Sequence, residues 1–79
     1  MTMNKVDIYD ELDGEFVAKK LEFWGITDAL VAHFFPDGKV FDQTVYDACV
    51  GLGDEWAKGM PTQGYESYLG VTVTSSQEE

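Results

Sequence analysis

An alternation of apolar and polar residues around an Asp-Gly pair organises the first twenty residues of the chain. Val6 and Ile8 alternate with polar neighbours, and an apolar run resumes at Phe16, shortly after Asp13-Gly14. Alternation at a period of two is typical of a half-buried strand, and Asp-Gly between two such runs is a strong turn signal. Glycine suits that position because the turn needs a positive φ. Residues 3–20 are therefore predicted to form an acidic β-hairpin.

The same alternation assigns faces to the second strand of the hairpin. Phe16 and Ala18 are expected to share one face, and Val17 takes the other. Lys19-Lys20 is expected to end the strand. Residues 21–25 are expected to form an apolar bridge that covers the sheet.

The next segment has the pattern of a helix. Thr27 is predicted to be its N-cap, and Asp28 suits the positive end of the helix dipole. Its apolar positions recur every four residues and comprise Ile26, Leu30 and Phe34. Residues 36–38, Pro-Asp-Gly, end this helix, and a brief strand is expected at residues 39–41.

A second helix is predicted to begin after Asp42 and to run to about Lys58. Its apolar stripe has helical spacing and comprises Val45, Cys49, Leu52 and Trp56. Gly51 and Gly53 oppose this prediction, because each costs about 1 kcal/mol relative to alanine inside a helix. The alternative is a strand over residues 44–50.

The last element is predicted to be a strand over residues 65–74, after a loop over residues 59–64. Its three apolar residues at alternate positions, which share one face, are Leu69, Val71 and Val73. Residues 75–79 are expected to form a polar, disordered tail. The predicted fold is a single α+β domain over residues 1–79. It has a small three-stranded antiparallel sheet, with one or two helices on one face and the element order ββααβ.

Charge is the feature of the composition that most restricts function. The chain of 79 residues has fifteen acidic residues, five lysines and no arginine, which gives a net charge of −10. This excess exceeds the magnitude of about 2–8 that keeps a small domain soluble. It argues against direct binding of nucleic acid or an anionic membrane, and it favours a basic protein partner.

Cysteine content and the N-terminal sequence favour the cytoplasm. Cys49 is the only cysteine, so the chain cannot form an internal disulfide. The first residues lack the apolar core of a signal peptide, and no run approaches the ~20 apolar residues of a membrane span. We therefore expect a cytoplasmic protein.

The residues that could carry catalysis are few. His33 is the only histidine, and both it and Cys49 lie in predicted apolar helices. A thiol on a buried stripe is usually inert, so we expect no enzyme activity and no cofactor.

A calcium loop is also rejected. With Gly14 as the invariant sixth residue of an EF-hand loop, Tyr9 would occupy position one and Lys20 position twelve. Neither residue supplies the required carboxylate, and no metal is expected.

The remaining candidate site is an acidic surface. Alternate strand residues lie about 6.6–6.8 Å apart, so a row of carboxylates can imitate part of a phosphate array, whose spacing is about 3.4 Å. The predicted partner-binding acids are Asp7, Asp10, Glu11, Asp13, Glu15 and Glu66. Tyr9 and Tyr68 are predicted to add apolar contact, because tyrosine is enriched in binding hot spots. The alternative is that these acids only prevent sheet-to-sheet aggregation.

Size, charge and the lack of a catalytic set are together similar to those of small phage inhibitors of host defence, such as anti-CRISPR proteins and DNA mimics. This similarity implies inhibition of a basic, nucleic-acid-handling partner such as a CRISPR–Cas effector. The alternative is a structural or assembly protein that forms a homodimer through sheet edges or an apolar face.

Overall fold

The computed structural model describes residues 5–75, which form one antiparallel sheet and three α-helices. In chain order the elements are β1 (Lys5–Asp10), β2 (Glu15–Glu22), a 3₁₀ turn (Phe23–Gly25), α1 (Ile26–Phe34), α2 (Gln43–Ala57), α3 (Gln63–Leu69) and β3 (Val71–Ser75). The α+β class and the three-stranded antiparallel sheet are confirmed. The third helix was not predicted.

The sheet has the strand order β2-β1-β3, so the strand with the strictest alternation is the central one. Val6, Ile8 and Asp10 of β1 point inward and are buried. Val71 and Val73 of β3 pair with Asp10 and Ile8, so they share this inner face. Alternation in the sequence therefore predicted the inner face of β1 correctly, because β1 pairs with β3 in an unbroken register and has no extra residue of its own.

The faces predicted for β2 are wrong because this strand is bulged. Phe16 pairs with Tyr9 on the outer face, whereas Ala18 pairs with the buried Ile8. The register shifts between these two pairs, which leaves Val17 as an extra residue, in contact with the core. One extra residue reverses the relation between position and face.

Helix α1 begins earlier than predicted. The 3₁₀ turn leads directly into it, so its N-cap is Gly25 and Thr27 lies inside the first turn. The hydroxyl of Thr27 instead donates to the carbonyl of Cys49 in α2, at 3.3 Å. The predicted cap residue therefore joins two helices.

Helix α2 is continuous through both glycines, and the alternative strand over residues 44–50 is wrong. Asp42 caps it as predicted, accepting from the backbone N–H groups of Thr44 and Val45 at 3.0 and 3.4 Å. The residues of its apolar stripe all lie in or against the core and are Val45, Cys49, Leu52 and Trp56.

The two glycines of α2 are the points of closest approach between helices. A Cβ atom on Gly53 would lie 2.0 Å from the Thr27 hydroxyl oxygen, and one on Gly51 would lie 2.6 Å from the Tyr65 ring. Glycine therefore allows α1 and α3 to pack closely against α2, which offsets its cost within a helix.

The predicted strand over residues 65–74 is wrong in its first half. Residues Gln63–Leu69 form α3, and Gly70 then ends the helix with φ +75°. The strand begins only at Val71 and includes Ser75; the rest of the predicted tail lies outside the described residues. Since tyrosine and serine are compatible with both structures, the glycine was the better indicator of the boundary.

Two smaller predictions also differ from the structure. Residues 39–41 form no strand but belong to the connection between α1 and α2. In this connection the exposed Phe41 ring lies against buried Phe35, with ring centroids 4.9 Å apart. Trp24, expected in the apolar bridge over the sheet, is 66% exposed. The covering role falls instead to Leu21 and Phe23, which pack against the core.

All three helices pack on one side of the sheet, where they cover a core of aliphatic residues that includes Ile8, Ile26, Leu30 and Leu52. The residues of β1 that point away from this core, Lys5, Asp7 and Tyr9, are only partly buried, and their side of the sheet is called its open face. No helix in this range combines the length and the hydrophobicity that crossing a membrane requires.

Candidate partner-binding surface

The hairpin turn is held by one buried carboxylate. Asp10 is 4% exposed, and its Oδ1 accepts from the N–H groups of Leu12 and Asp13 at 2.9 and 3.0 Å. Its Oδ2 lies 2.7 Å from Nε2 of His33, at the end of α1. Asp10 is therefore not among the exposed acids of the turn, although the sequence placed it there.

The environment of Asp10 has opposing effects on its ionisation. Burial alone would raise the pKa of this carboxyl. The hydrogen bonds from the Asp13 N–H, the His33 side chain and the Leu12 N–H outweigh burial, so the pKa lies below its ordinary value. A carboxylate in this position is a fixed, charged support for the turn.

Three predicted acids are exposed around this support: Glu11, Asp13 and Glu15. The carboxylate of Glu11 accepts from the Thr72 hydroxyl at 2.6 Å, and its backbone N–H donates to the Gly70 carbonyl at 2.9 Å. The hairpin turn, taken here as residues 11–15 and so including the first residue of β2, is therefore fastened to β3 as well as to α1. Its three exposed acids lie on a segment that these hydrogen bonds hold in place.

Glu66 also fastens two elements together. Its carboxylate accepts from the Thr62 hydroxyl at the start of α3, and from the backbone N–H of Val73 in β3 at 3.4 Å. Glu66 is half-buried and lines the same cavity as Glu11. The structure thus brings together two acids that are 55 residues apart in the chain.

Asp7 lies elsewhere, on the open face of the sheet. Its Oδ1 accepts from the backbone N–H of Lys20 at 2.9 Å, at a second bulge where Lys20 has φ +53°. Asp7 therefore stabilises an unusual backbone conformation in β2.

The two predicted aromatic contacts are also separated. Tyr9 is half-buried on the open sheet face and lies edge-on to Phe16, with ring centroids 4.9 Å apart. The Nζ atom of Lys19 lies over the Phe16 ring, 4.5 Å from its centroid. Tyr68 lies on α3 and is 55% exposed. The eight predicted site residues therefore occupy three places: the open sheet face, the hairpin turn and the side of α3.

Two cavities adjoin along α3 and β3. One, of about 290 Å³, is lined by Glu11, Gln63, Glu66, Ser67, Gly70, Val71 and Thr72. The other, of about 410 Å³, is lined by Trp56, Met60, Pro61, Thr62, Gln63, Glu66 and Val73. Only Glu11 and Glu66 of these residues were predicted. The others were not predicted because Trp56 was assigned to the apolar stripe of α2, residues 59–64 to a loop and residues 65–74 to a strand.

The residues with metal-binding or nucleophilic groups have structural roles. Donor atoms of Asp10, Asp13 and His33 lie within 4.8 Å of one another, a set that can hold a metal ion. Oδ1 of Asp10 accepts from the N–H groups of the turn, and its Oδ2 contacts His33, so Asp10 also has a structural role. Cys49 is fully buried, and burial raises the pKa of its thiol to about 11, so it is protonated at neutral pH.

Fold and surface together define a small, acidic α+β domain with an acidic hairpin turn and an adjoining groove. No family model, curated protein or solved structure matches the chain.

Proposed function

We propose that this protein is an interaction protein that binds a basic, nucleic-acid-handling partner and blocks the partner's nucleic-acid site. The first partner to test is a CRISPR–Cas effector, which would make the protein a phage-encoded anti-CRISPR acting in the host cytoplasm. The observation that carries the proposal is a hairpin turn with three exposed acids, Glu11, Asp13 and Glu15, supported from within by buried Asp10.

Electrostatics supplies the physical reason. Of the fifteen acids, all but Glu78 and Glu79 lie within residues 5–75, together with all five lysines, so the described body itself has a large negative excess. A positively charged groove is steered toward such a body, which raises the association rate. A fixed turn adds affinity because it loses little conformational freedom on binding.

No catalytic role is included in the proposal. His33 is engaged with Asp10, and the Cys49 thiol is buried and protonated. A protonated, buried thiol is not the activated nucleophile that a thiol enzyme needs.

The test compares two triple variants of equal charge against a purified effector complex. E11Q/D13N/E15Q neutralises the turn, and D28N/D47N/D54N neutralises three exposed acids on α1 and α2. We expect the turn variant to weaken binding at least about tenfold and the helix variant less than about threefold, measured by surface plasmon resonance. Binding of the unmodified protein should weaken as NaCl rises from about 50 to 200 mM. Salt-independent binding, or equal losses in both variants, contradicts the proposal.

A homodimer is the second candidate function, and the open sheet face favours it. Tyr9 and Phe16 meet on this face, and Phe16 is 48% exposed. Sedimentation at increasing protein concentration tests this candidate. A dimer that the substitution F16E dissociates supports it, whereas a monomer at all concentrations contradicts it.

A further inference from the structure

Two adjoining cavities lie along α3 and the outer edge of β3. The two cavities, about 290 and 410 Å³ in volume, adjoin at Gln63 and Glu66, which line both of them, and together they are called the groove. The backbone N–H of Val73 points away from β1, since it donates to Glu66 rather than to the sheet. By strand alternation, the backbone groups of Val71 and Ser75 also face this edge.

One end of the groove is acidic and held in place. Glu11 is oriented by the Thr72 hydroxyl at 2.6 Å, and Glu66 is oriented by the Thr62 hydroxyl and the Val73 N–H. The other residues that line this end are neutral, and none of the described residues lining it is basic. Two carboxylates with fixed directions and no lining cation form an environment suited to a cationic side chain.

Four of the seven residues that line the other end of the groove have apolar side chains. These four are the half-buried Trp56, Met60, which is 49% exposed, Pro61 and Val73. A tryptophan and a flexible methionine on a concave surface are typical of sites that receive an apolar side chain. The groove therefore changes from acidic to apolar along its length.

We propose that this groove binds an extended segment of the basic partner, with an arginine side chain at the Glu11 end and an apolar side chain at the Trp56 end. The inference rests on the proposed function and specifies the chemistry of the partner. Arginine fits better than lysine because its planar guanidinium has five N–H donors, enough for both carboxylates at once. An extended segment suits two adjoining cavities because its alternate side chains lie on one side, about 6.6–6.8 Å apart, so that each can enter one cavity.

The test uses a capped peptide, acetyl-Gly-Arg-Thr-Leu-Gly-amide, titrated into the ¹⁵N-labelled full chain and followed by NMR at constant ionic strength. We expect saturable shifts confined to the amides of residues 56–73 and the hairpin turn. Replacing the peptide's arginine by citrulline, which keeps the shape but removes the charge, should weaken binding at least about fivefold. Replacing its leucine by glycine should also weaken binding.

Protein variants assign the two ends of the groove. E11Q should weaken binding of the arginine peptide several-fold but leave the citrulline peptide unaffected. M60A should weaken binding of the leucine peptide but not of the glycine peptide. The matched control is D54N, which removes the same charge as E11Q from an exposed position that lines neither cavity. Equal effects of E11Q and D54N, or shifts spread over the whole acidic surface, would overturn the inference.

The two proposals fail in different ways. If the effector binds through the turn with strong salt dependence but the peptide does not enter the groove, only the groove inference is wrong. If the peptide binds in the groove but no basic, nucleic-acid-handling protein is inhibited, the proposed function is wrong.

Discussion

At the scale of single residues, Asp10 joins the hairpin turn to α1 through hydrogen bonds to both. It accepts hydrogen bonds from two N–H groups of its own turn and contacts His33 from α1. Removing a buried carboxylate that has three partners strongly destabilises the folded protein, because its hydrogen-bond donors then remain unsatisfied. Asp10 therefore connects the exposed acids of the turn to the core.

The lowered pKa of Asp10 predicts a specific loss of stability in acid. The unfolded chain binds a proton near the ordinary aspartate pKa of about 3.9, and the folded chain does so at a lower pH. The stabilisation from ionised Asp10 is thus complete above about pH 5, and it is lost as pH falls through the unfolded-state pKa and then the lower, folded-state pKa. We expect the difference in unfolding free energy between the unmodified protein and D10N, measured by urea denaturation, to shrink between about pH 5 and 2.5.

Because every other carboxylate is common to both proteins, that difference isolates Asp10. A difference that stays constant over the whole pH range would show that Asp10 titrates identically in the folded and unfolded states, contrary to this prediction.

At the scale of elements, the helices are positioned by glycine contacts rather than by helix propensity. Gly53 of α2 faces Thr27 of α1, and Gly51 faces Tyr65 of α3. Neither contact could be predicted from the sequence, where both glycines look like helix breakers. The reason is that a glycine's cost is local, whereas its benefit depends on what packs against it.

A pair of glycine-to-alanine substitutions tests this explanation. Gly53→Ala should destabilise by about 1–3 kcal/mol because its Cβ would lie 2.0 Å from the Thr27 hydroxyl oxygen. Gly64→Ala, in α3, meets nothing within 4 Å and should stabilise by up to about 1 kcal/mol. Thermal and urea denaturation measure both effects. Stabilisation by Gly53→Ala would show that the approach of α1 to α2 is looser than described here.

At the scale of the whole molecule, net charge opposes folding, whereas in the proposed function it favours association with a basic partner. A charge of −10 on 79 residues repels itself in the compact state. Screening by salt should therefore affect folding and partner binding in opposite directions.

We expect the midpoint of urea unfolding to rise as NaCl increases from about 20 to 200 mM, because screening reduces self-repulsion. Circular dichroism at matched protein concentration measures the midpoint. The control is D28N/D47N/D54N, which has a smaller net charge and should show a weaker dependence on salt. A midpoint that falls with salt would mean that attractive pairs such as Lys5–Glu22, 3.1 Å apart, outweigh the repulsion.

The sequence by itself determined the α+β class, the hairpin around Asp13-Gly14, the cap at Asp42 and the buried stripe of α2. Each follows from local chemistry: a period of two or 3.6, a turn glycine, or a side-chain oxygen beside free N–H groups. Only the tertiary structure decided the bulges of β2, the inward direction of Asp10, the helical state of residues 63–69 and the placing of Glu11 and Glu66 on one cavity. These depend on neighbours remote in the chain, since a bulge reverses a face and a buried partner such as His33 turns an acid inward.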